Sequence, residues 1–228
     1  MRKFFSTDSF AIKALSWFCD WMFLNLLFLI FSIPIFTMGA SATAVYAVIF
    51  KKLRGEDPPI FKTFVKEFKS DFKKATQFFV PFILVLGFLV FDVYATHNFL
   101  SEELSFLQYP AAILAFLILC GSVFVFPQIA VFDSPLKAVI KNSVLLAISN
   151  IPTVIFVIVT HVVLILLAGL SPKMTFIILS IMLFFGFGFL AFFFSLFYRR
   201  IFAKYIKSDE NDNPITDEEI ESGNEEAE

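Results

Sequence analysis

The chain has 228 residues, of which 58% are hydrophobic and only 17% are charged. Soluble globular domains are about 45–50% apolar and about 25% charged, so this composition excludes an ordinary water-soluble domain and indicates a protein largely covered by lipid. The net charge of −2 hides a division, because residues 208–228 contain ten acidic and no basic side chains, whereas residues 1–207 contain all 18 basic ones.

Six apolar segments follow one another along the chain, and each approaches the roughly 20 residues that a helix needs to cross a bilayer. They predict an all-α fold, a polytopic membrane helix bundle of about six transmembrane helices. The segments cover residues of about 14–31, 33–50, 76–96, 110–132, 151–170 and 174–198. They place an integral membrane domain over 1–207 and leave an acidic tail, 208–228, with too little to bury, for which we predict disorder on the cytoplasmic side.

The second apolar segment has three interpretations: the returning arm of a hairpin, a re-entrant segment, or the end of a signal peptide cleaved near Ala40-Ser41-Ala42. Signal peptides have an apolar region of about 7–15 residues. Here the apolar stretch begins near Ala14 and continues to Phe50. Pro34 can open a new helix, since its missing N–H would have no partner there. We therefore expect a retained segment and a hairpin.

The distribution of charge predicts the topology. Residues 51–74 hold eight basic and four acidic side chains, and Arg2, Lys3 and Lys13 precede the first segment. Lys and Arg concentrate in cytoplasmic loops, so both regions are predicted to lie inside, with an even number of crossings between them. We predict a multi-pass protein of the cell membrane with cytoplasmic N- and C-termini and with the loop 97–109 outside.

An amphipathic elbow helix is predicted over about 59–74, on the cytoplasmic side. Its aromatic residues recur at spacings of three and four, which places them on one helical face, and lysines occupy the other sides: Phe61, Phe64, Phe68 and Phe72, with Lys62, Lys66, Lys69 and Lys73. Such a helix is typical of a membrane interface with an anionic inner leaflet. Docking on a soluble partner would use the same surfaces and is the alternative.

Four polar residues fall inside predicted membrane segments: Asp20, Asn25, Gln128 and His161. Polar groups in lipid are costly and therefore functional candidates, although they also join helices by hydrogen bonds. We consider that Asp20 and His161 could meet inside the bundle, where they would carry protons or hold a substrate. Gly39, Thr43 and Ala47 form a row of small residues that permits close helix packing.

Catalytic and cofactor motifs are absent or occur in the wrong context. Residues 186–191, GFGFLA, match the letters of a dinucleotide fingerprint but lie in a continuous apolar segment without a preceding strand. Cys19 and Cys120 lack metal-ligand spacing. We expect no enzymatic activity, no cofactor, no metal and no nucleic-acid partner.

Residues 24–75 resemble the YesL family of uncharacterised bacterial integral membrane proteins. The resemblance rests on Asn25-Leu26-Leu27, Gly39, Ala42-Thr43-Ala44, Lys51-Lys52, Gly55, Pro59, Phe61-Lys62-Thr63-Phe64 and Phe72. It departs at Asp71, where Asn is expected. The resemblance implies an accessory or assembly factor for a carbohydrate-uptake system, with the membrane subunits of a sugar importer as partners.

Two alternatives remain open at this point. A faint repeat that aligns Pro81 with Pro152, together with the polar residues in the membrane, would suit a small solute transporter. A sensor that acts through the acidic tail is the third hypothesis.

Overall fold

A computed structural model describes residues 10–99, 106 and 108–212, with side chains over 16–98, 106 and 108–205. These residues form helices and connecting turns, without a strand among them. The helices are α1 Phe10–Phe31, α2 Met38–Leu53, α3 Ile60–Phe99, α4 Gln108–Ser122, α5 Val125–Val131, α6 Leu136–Ser149, α7 Ile151–Gly169, α8 Pro172–Ile181 and α9 Phe187–Asp212. A 3-10 turn, Ile35–Thr37, precedes α2, and a π-helical segment, Met182–Gly186, joins α8 to α9.

Four helical stretches are long and apolar enough to cross a membrane: Ile60–Asn98, Gln108–Val131, Ile151–Gly169 and Pro172–Tyr205. They agree with the last four predicted crossings and with an all-α membrane protein. The helices at the first two predicted crossings differ in length. α2 has 16 residues, or about 24 Å of helix, against about 30 Å of hydrocarbon, whereas α1 has 22 residues, or about 33 Å.

The predicted elbow and the third crossing form one continuous helix, α3, of 40 residues. This is about 60 Å of helix, roughly twice the thickness of the hydrocarbon core. Neither Gly nor Pro occurs between Ile60 and Val80, so nothing in this part of the sequence ends the helix where we had placed a boundary. Pro81 lies within the helix without breaking it. The half before Pro81 carries the charged residues of α3 except Asp92, and the half after it is the apolar one.

The short helix α2 is the centre of the structure, since every residue from Gly39 to Phe50 is buried. It runs antiparallel to α3: Lys51 Nζ is 2.7 Å from Glu67 Oε1, and Gly39 lies against Ala75 and Phe79. α2 therefore follows the charged half of α3, and its remaining sides are covered by α1, α5 and α9.

The fourth predicted crossing, 110–132, divides into α4 and α5. Pro127 explains the break, because it has no N–H to donate to the carbonyl of Val123 and its ring crowds that carbonyl. The hydroxyl of Tyr198 on α9 donates to the freed Val123 oxygen at 3.3 Å. A side chain from another helix thus replaces the missing backbone bond.

Some predicted features lie outside the described residues: Arg2 and Lys3, the two acids of the loop (Glu102 and Glu103), and residues 213–228 of the tail. The backbone of α9 continues to Asp212, five residues into the segment predicted to be disordered. The first proline after the last membrane segment is Pro214, so no strong helix breaker stands before that point.

Candidate functional site: polar contacts inside the helix bundle

Asn25 on α1 is completely buried, and its amide makes four contacts with the π-helical segment and the start of α9. The amide nitrogen donates to the carbonyls of Leu183 at 2.8 Å and Met182 at 3.3 Å. The amide oxygen accepts from the backbone N–H groups of Phe187 at 2.9 Å and Gly188 at 3.1 Å. One side chain therefore uses both its donor and its acceptor capacity on a distant part of the backbone.

The π-helical geometry explains why these backbone groups need an outside partner. A π segment interrupts the regular i to i−4 ladder of an α-helix, and unpaired N–H and C=O groups are costly away from water. The amide of Asn25 offers the two donors and the acceptor required. Its function in the structure is to hold α1 against the α8–α9 junction, and this bonding leaves no Asn25 donor for a substrate.

The two glycines of GFGFLA lie at this junction. A Cβ on Gly188 would be 3.1 Å from the Trp21 oxygen and 3.4 Å from Asn25 Cβ, which is tight or close contact. Gly186 is the last residue of the π segment. The pattern therefore serves close helix packing, in a helix with no strand before it.

Gln128 is a second buried amide, in the middle of α5. Its Nε2 donates to Ser143 Oγ on α6 at 3.0 Å, which joins the two short helices. Beside it is a cavity of about 240 Å³ between α5, α6 and α9, lined by Gln128, Phe132, Ser134, Asn142, Leu145, Leu146, Phe202 and Tyr205. The lining has amide and hydroxyl groups and three aromatic rings but no charged residue, so the cavity has the chemistry for an uncharged polar molecule.

His161 and Asp20 have different partners and do not form the predicted pair. The His161 ring lies on the exposed side of α7, with Nδ1 2.8 Å from its own helix's Val157 oxygen. Asp20 forms an ion pair with Lys52 near the end of α2. Since Lys52 belongs to the basic loop region, Asp20 lies at the basic end of the bundle, where a charge partner is available.

The ion pairs of the described residues lie near the end of α2 and along the charged half of α3. Lys51 pairs with Glu67, and Lys74 on α3 pairs with Asp133 after α5. Desolvation by burial raises the pKa of Asp71 to about 6, with the charges of Glu67 and Asp133 adding to the effect and Lys74 opposing it. The hydrogen bond and charge of Lys74 lower the pKa of Asp133. The ion pairs of Glu67 and Asp133 join α3 to α2 and to the α5–α6 connection.

The aromatic face of the charged half of α3 contacts the protein itself. Phe64 is fully buried, and its ring and that of Phe68 lie 5.2 Å and 5.0 Å from the Phe31 ring on α1. Phe72 is partly buried beside Phe68, whereas Phe61 is exposed. Phe64 and Phe68 therefore contact the α1–α2 hairpin, while Lys62, Lys66, Lys69 and Lys73 on the other sides of the helix are exposed.

The predicted row of small residues lies in buried packing contacts. Gly39, Thr43 and Ala47 are all buried, and Thr43 donates to the Gly39 oxygen at 3.1 Å. A Cβ on Gly39 would be 2.7 Å from Phe79 Cβ, closer than real Cβ atoms approach one another. Close contact between α2 and α3 therefore requires glycine at this position.

Sequence reasoning missed the importance of Ser143, Tyr198 and Lys52. Ser143 and Tyr198 are ordinary residues in apolar surroundings, and only the partner helix gives them a role. Lys52 could have been found, since an antiparallel hairpin brings the end of α2 near the start of the apolar part of α1. Over the described residues, no cluster of His, Cys, Asp and Glu could hold a metal ion.

Comparison with known proteins finds similarity to proteins without an assigned activity. Residues 21–93 match a family described as "Protein of unknown function, DUF624"; they comprise most of the α1–α2 hairpin and most of α3. The chain is 28% identical over 166 residues to the "Uncharacterized protein YteU" of Bacillus subtilis (strain 168), a match that covers 68% of this chain and 73% of that protein. No solved structure matches. The more specific resemblance to the YesL family stays a prediction.

Proposed function

We propose that this chain is a non-catalytic accessory protein that binds the membrane-spanning subunits of a carbohydrate importer. The observation that carries the accessory role is the use of the buried polar groups: Asn25 bonds with the π segment, and Gln128 Nε2 bonds with Ser143. Groups engaged in this way stabilise a scaffold and do not form a polar path across the membrane. The choice of a sugar importer rests on the resemblance of residues 24–75.

The apolar half of α3 supplies a surface for such a partner. Leu84, Phe88 and Phe91 are spaced four and three residues apart and are 66%, 68% and 64% exposed. They therefore lie along one side of the helix, where the occupant is either lipid or a neighbouring transmembrane helix. Large aromatic and aliphatic side chains of this kind can pack against another helix.

Affinity purification in mild detergent tests the proposal. A tagged chain should recover the membrane subunits of a sugar importer, and the triple variant L84A/F88A/F91A should recover less of them at equal expression. A matched control replaces Leu114, Leu117 and Leu119, which are exposed on α4, by Ala. Recovery of no importer subunit, under conditions that keep other complexes of the same membrane intact, would sink the proposal.

A solute transporter is the second candidate, and the cavity beside Gln128 favours it. An uncharged lining with amide groups and aromatic rings suits a neutral hydroxylated solute. Gln128 and Asn142 line this cavity, whereas Asp20 and His161 do not. The residues to replace in a transport assay are therefore Gln128 and Asn142. Uptake by reconstituted vesicles should then fall with Asn142→Leu at normal expression, whereas His161→Gln, which lies away from the cavity, should leave uptake unchanged.

A further inference from the structure

We propose that the α1–α2 hairpin enters the membrane from the basic side and returns to the same side, with its turn inserted into the acyl chains of that leaflet. The partner of the turn, Ser32–Thr37, is lipid. This interaction is independent of the importer-binding role proposed above.

The contacts along α3 determine how far the hairpin reaches. Lys51, at the end of α2, lies beside Glu67, and Gly39, at its start, lies beside Ala75 and Phe79. The last charged residue before the apolar part of α3 is Lys74, and the next is Asp92. α2 therefore lies along the charged half of α3, and its first residues lie about where the membrane-spanning half of α3 begins.

α3 continues far beyond Phe79. From Phe79 to Asn98 the helix continues for 19 further residues, or about 29 Å. A turn that lies near Phe79 cannot also lie at the far end of that span. The hairpin is thus too short to reach the opposite surface while keeping its contacts with α3.

The turn itself has an apolar outer surface. Ile33, Ile35 and Phe36 are 77%, 68% and 51% exposed. Residues on either side, Ile30 and Met38, are also exposed and apolar. A group of this kind at the level where α3 becomes apolar is suited to contact with acyl chains, in the manner of interfacial anchors.

Several backbone donors of the turn are hydrogen-bonded to nearby carbonyls. Ser32 N donates to the Phe28 oxygen at 2.9 Å, Ile33 N to the Ile30 oxygen at 3.3 Å and Thr37 N to the Pro34 oxygen at 2.9 Å. Pro34 has no N–H to satisfy. Four of the six residues of the turn therefore have no unpaired backbone donor, which lowers the cost of contact with hydrocarbon.

The distribution of Lys and Arg is compatible with a re-entrant hairpin. Two basic flanks on one side require an even number of crossings between them, and zero is as even as two. A re-entrant hairpin leaves every later loop on the side that the six-crossing prediction gave it. The distribution of Lys and Arg therefore cannot distinguish the two arrangements, whereas the position of the turn can.

Cysteine accessibility tests the proposal. Cys19 and Cys120 are replaced by Ala, and single cysteines are introduced by Ile33→Cys, Glu56→Cys and Lys173→Cys. The last two lie in the exposed connections after α2 and at the start of α8, and they define the two sides. A membrane-impermeant maleimide is applied to intact cells and to inverted vesicles.

The expected result is that Ile33→Cys is protected in both preparations and reacts after the membrane is dissolved in detergent. Labelling together with Lys173→Cys would overturn the proposal in favour of two crossings. Labelling together with Glu56→Cys would overturn it by placing the turn in water.

Fluorescence quenching provides a second, independent measurement of depth. Trp17 and Trp21, the two tryptophans of the chain, are replaced by Phe, and Phe36→Trp places a single tryptophan on the turn. In vesicles of phosphatidylcholine brominated at defined acyl positions, quenching should be strongest for bromine near the headgroup end of the chains. Maximal quenching at the chain ends, or no quenching by any brominated lipid, would refute leaflet insertion. The cysteine experiment keeps both tryptophans, so it still tests the proposal if the tryptophan variant fails to fold.

Discussion

Replacement of Asn25 by Leu should weaken the structure at a predictable place. Leu has the same number and branching of side-chain heavy atoms but can neither donate nor accept a hydrogen bond, so the carbonyls of Met182 and Leu183 and the N–H groups of Phe187 and Gly188 lose their side-chain partner. Its methyl groups are larger than the amide atoms that they replace, and this crowding at a buried position adds to the loss.

The magnitude follows from the number of bonds. Hydrogen bonds between membrane helices contribute about 0.6 kcal/mol on average and up to about 1.7 kcal/mol, so four bonds predict a loss of about 2.4 kcal/mol at the average value, and at most about 7 kcal/mol, in the free energy of unfolding. For a chain of this length, the average value corresponds to a fall in Tm of roughly 5–10 °C.

Thermal unfolding in detergent, followed by circular dichroism, measures the loss, and hydrogen exchange of the Phe187 and Gly188 amides localises it. Asn98→Leu is the matched control, because Asn98 is exposed and, among the described residues, its side chain donates to the Tyr94 oxygen of its own helix. We expect that control to change the free energy of unfolding by less than about 0.5 kcal/mol.

A deletion in the π segment tests the role of the Asn25 amide in a second way. A π segment behaves as a single-turn bulge in an α-helix, so deletion of the exposed Phe184 should restore a regular ladder and remove the need for the amide. The deletion should recover much of the stability lost in Asn25→Leu. Equal stability of Asn25→Leu and the unmodified chain, or unchanged exchange at Phe187 and Gly188, would show that the amide does not hold the junction.

Three further predictions concern α2 and its surroundings. Gly39→Ala should cost about 1–3 kcal/mol through overpacking, whereas Gly87→Ala, with nothing within 4 Å of the added carbon, should be neutral or stabilise by up to about 1 kcal/mol; equal Tm values for the two variants would contradict the contact geometry. Lys52→Met should destabilise by about 2–3 kcal/mol because it leaves Asp20 without its partner, and the double variant with Asp20→Leu should regain most of that loss in the same thermal assay. A pKa of about 6 instead of 3.8 for Asp71 corresponds to about 3 kcal/mol, which solvent screening of a half-exposed group reduces to about 1 kcal/mol. Since the raised pKa makes the ionised form unfavourable in the folded state, Asp71→Asn should stabilise above pH 6, and this gain should disappear as the pH falls towards 3.8; a gain that does not change between pH 4 and pH 8 would assign the effect to something other than ionisation.

The long apolar helices could be predicted from the sequence because their length and hydropathy are local properties. Residues 151–170 were predicted as a crossing, and the structure has α7 over Ile151–Gly169. The crossings predicted for the first two segments remain unconfirmed, because a hairpin of buried helices is as apolar as one in lipid. Composition does not reveal whether protein or lipid covers α2, and only the contacts of Gly39 and Lys51 with α3 do so.

The candidate site was predictable in its residue types and not in its partners. Asn25 and Gln128 were identified because amides are rare in apolar helices, but no sequence pattern indicates that residues 182–186 form a π segment. The periodicity of Phe64, Phe68 and Phe72 correctly predicted one aromatic face. It could not show that Phe31, more than 30 positions earlier, would meet that face in place of lipid.

The enclosure of α2 has a consequence for the order of synthesis. Tyr46 on α2 contacts Tyr198 on α9. These two residues are about 150 positions apart, so the ribosome completes α2 long before it makes this part of α9. At about 5–20 residues per second, this interval is roughly 8–30 s. During that time α2, which has buried Ser41 and Thr43 in the folded protein, is not yet packed against α9. The synthesis of α9 then completes the fold. Shortening the chain before α9 should therefore expose the nascent hairpin to quality-control proteases, although every residue of the hairpin has already been made.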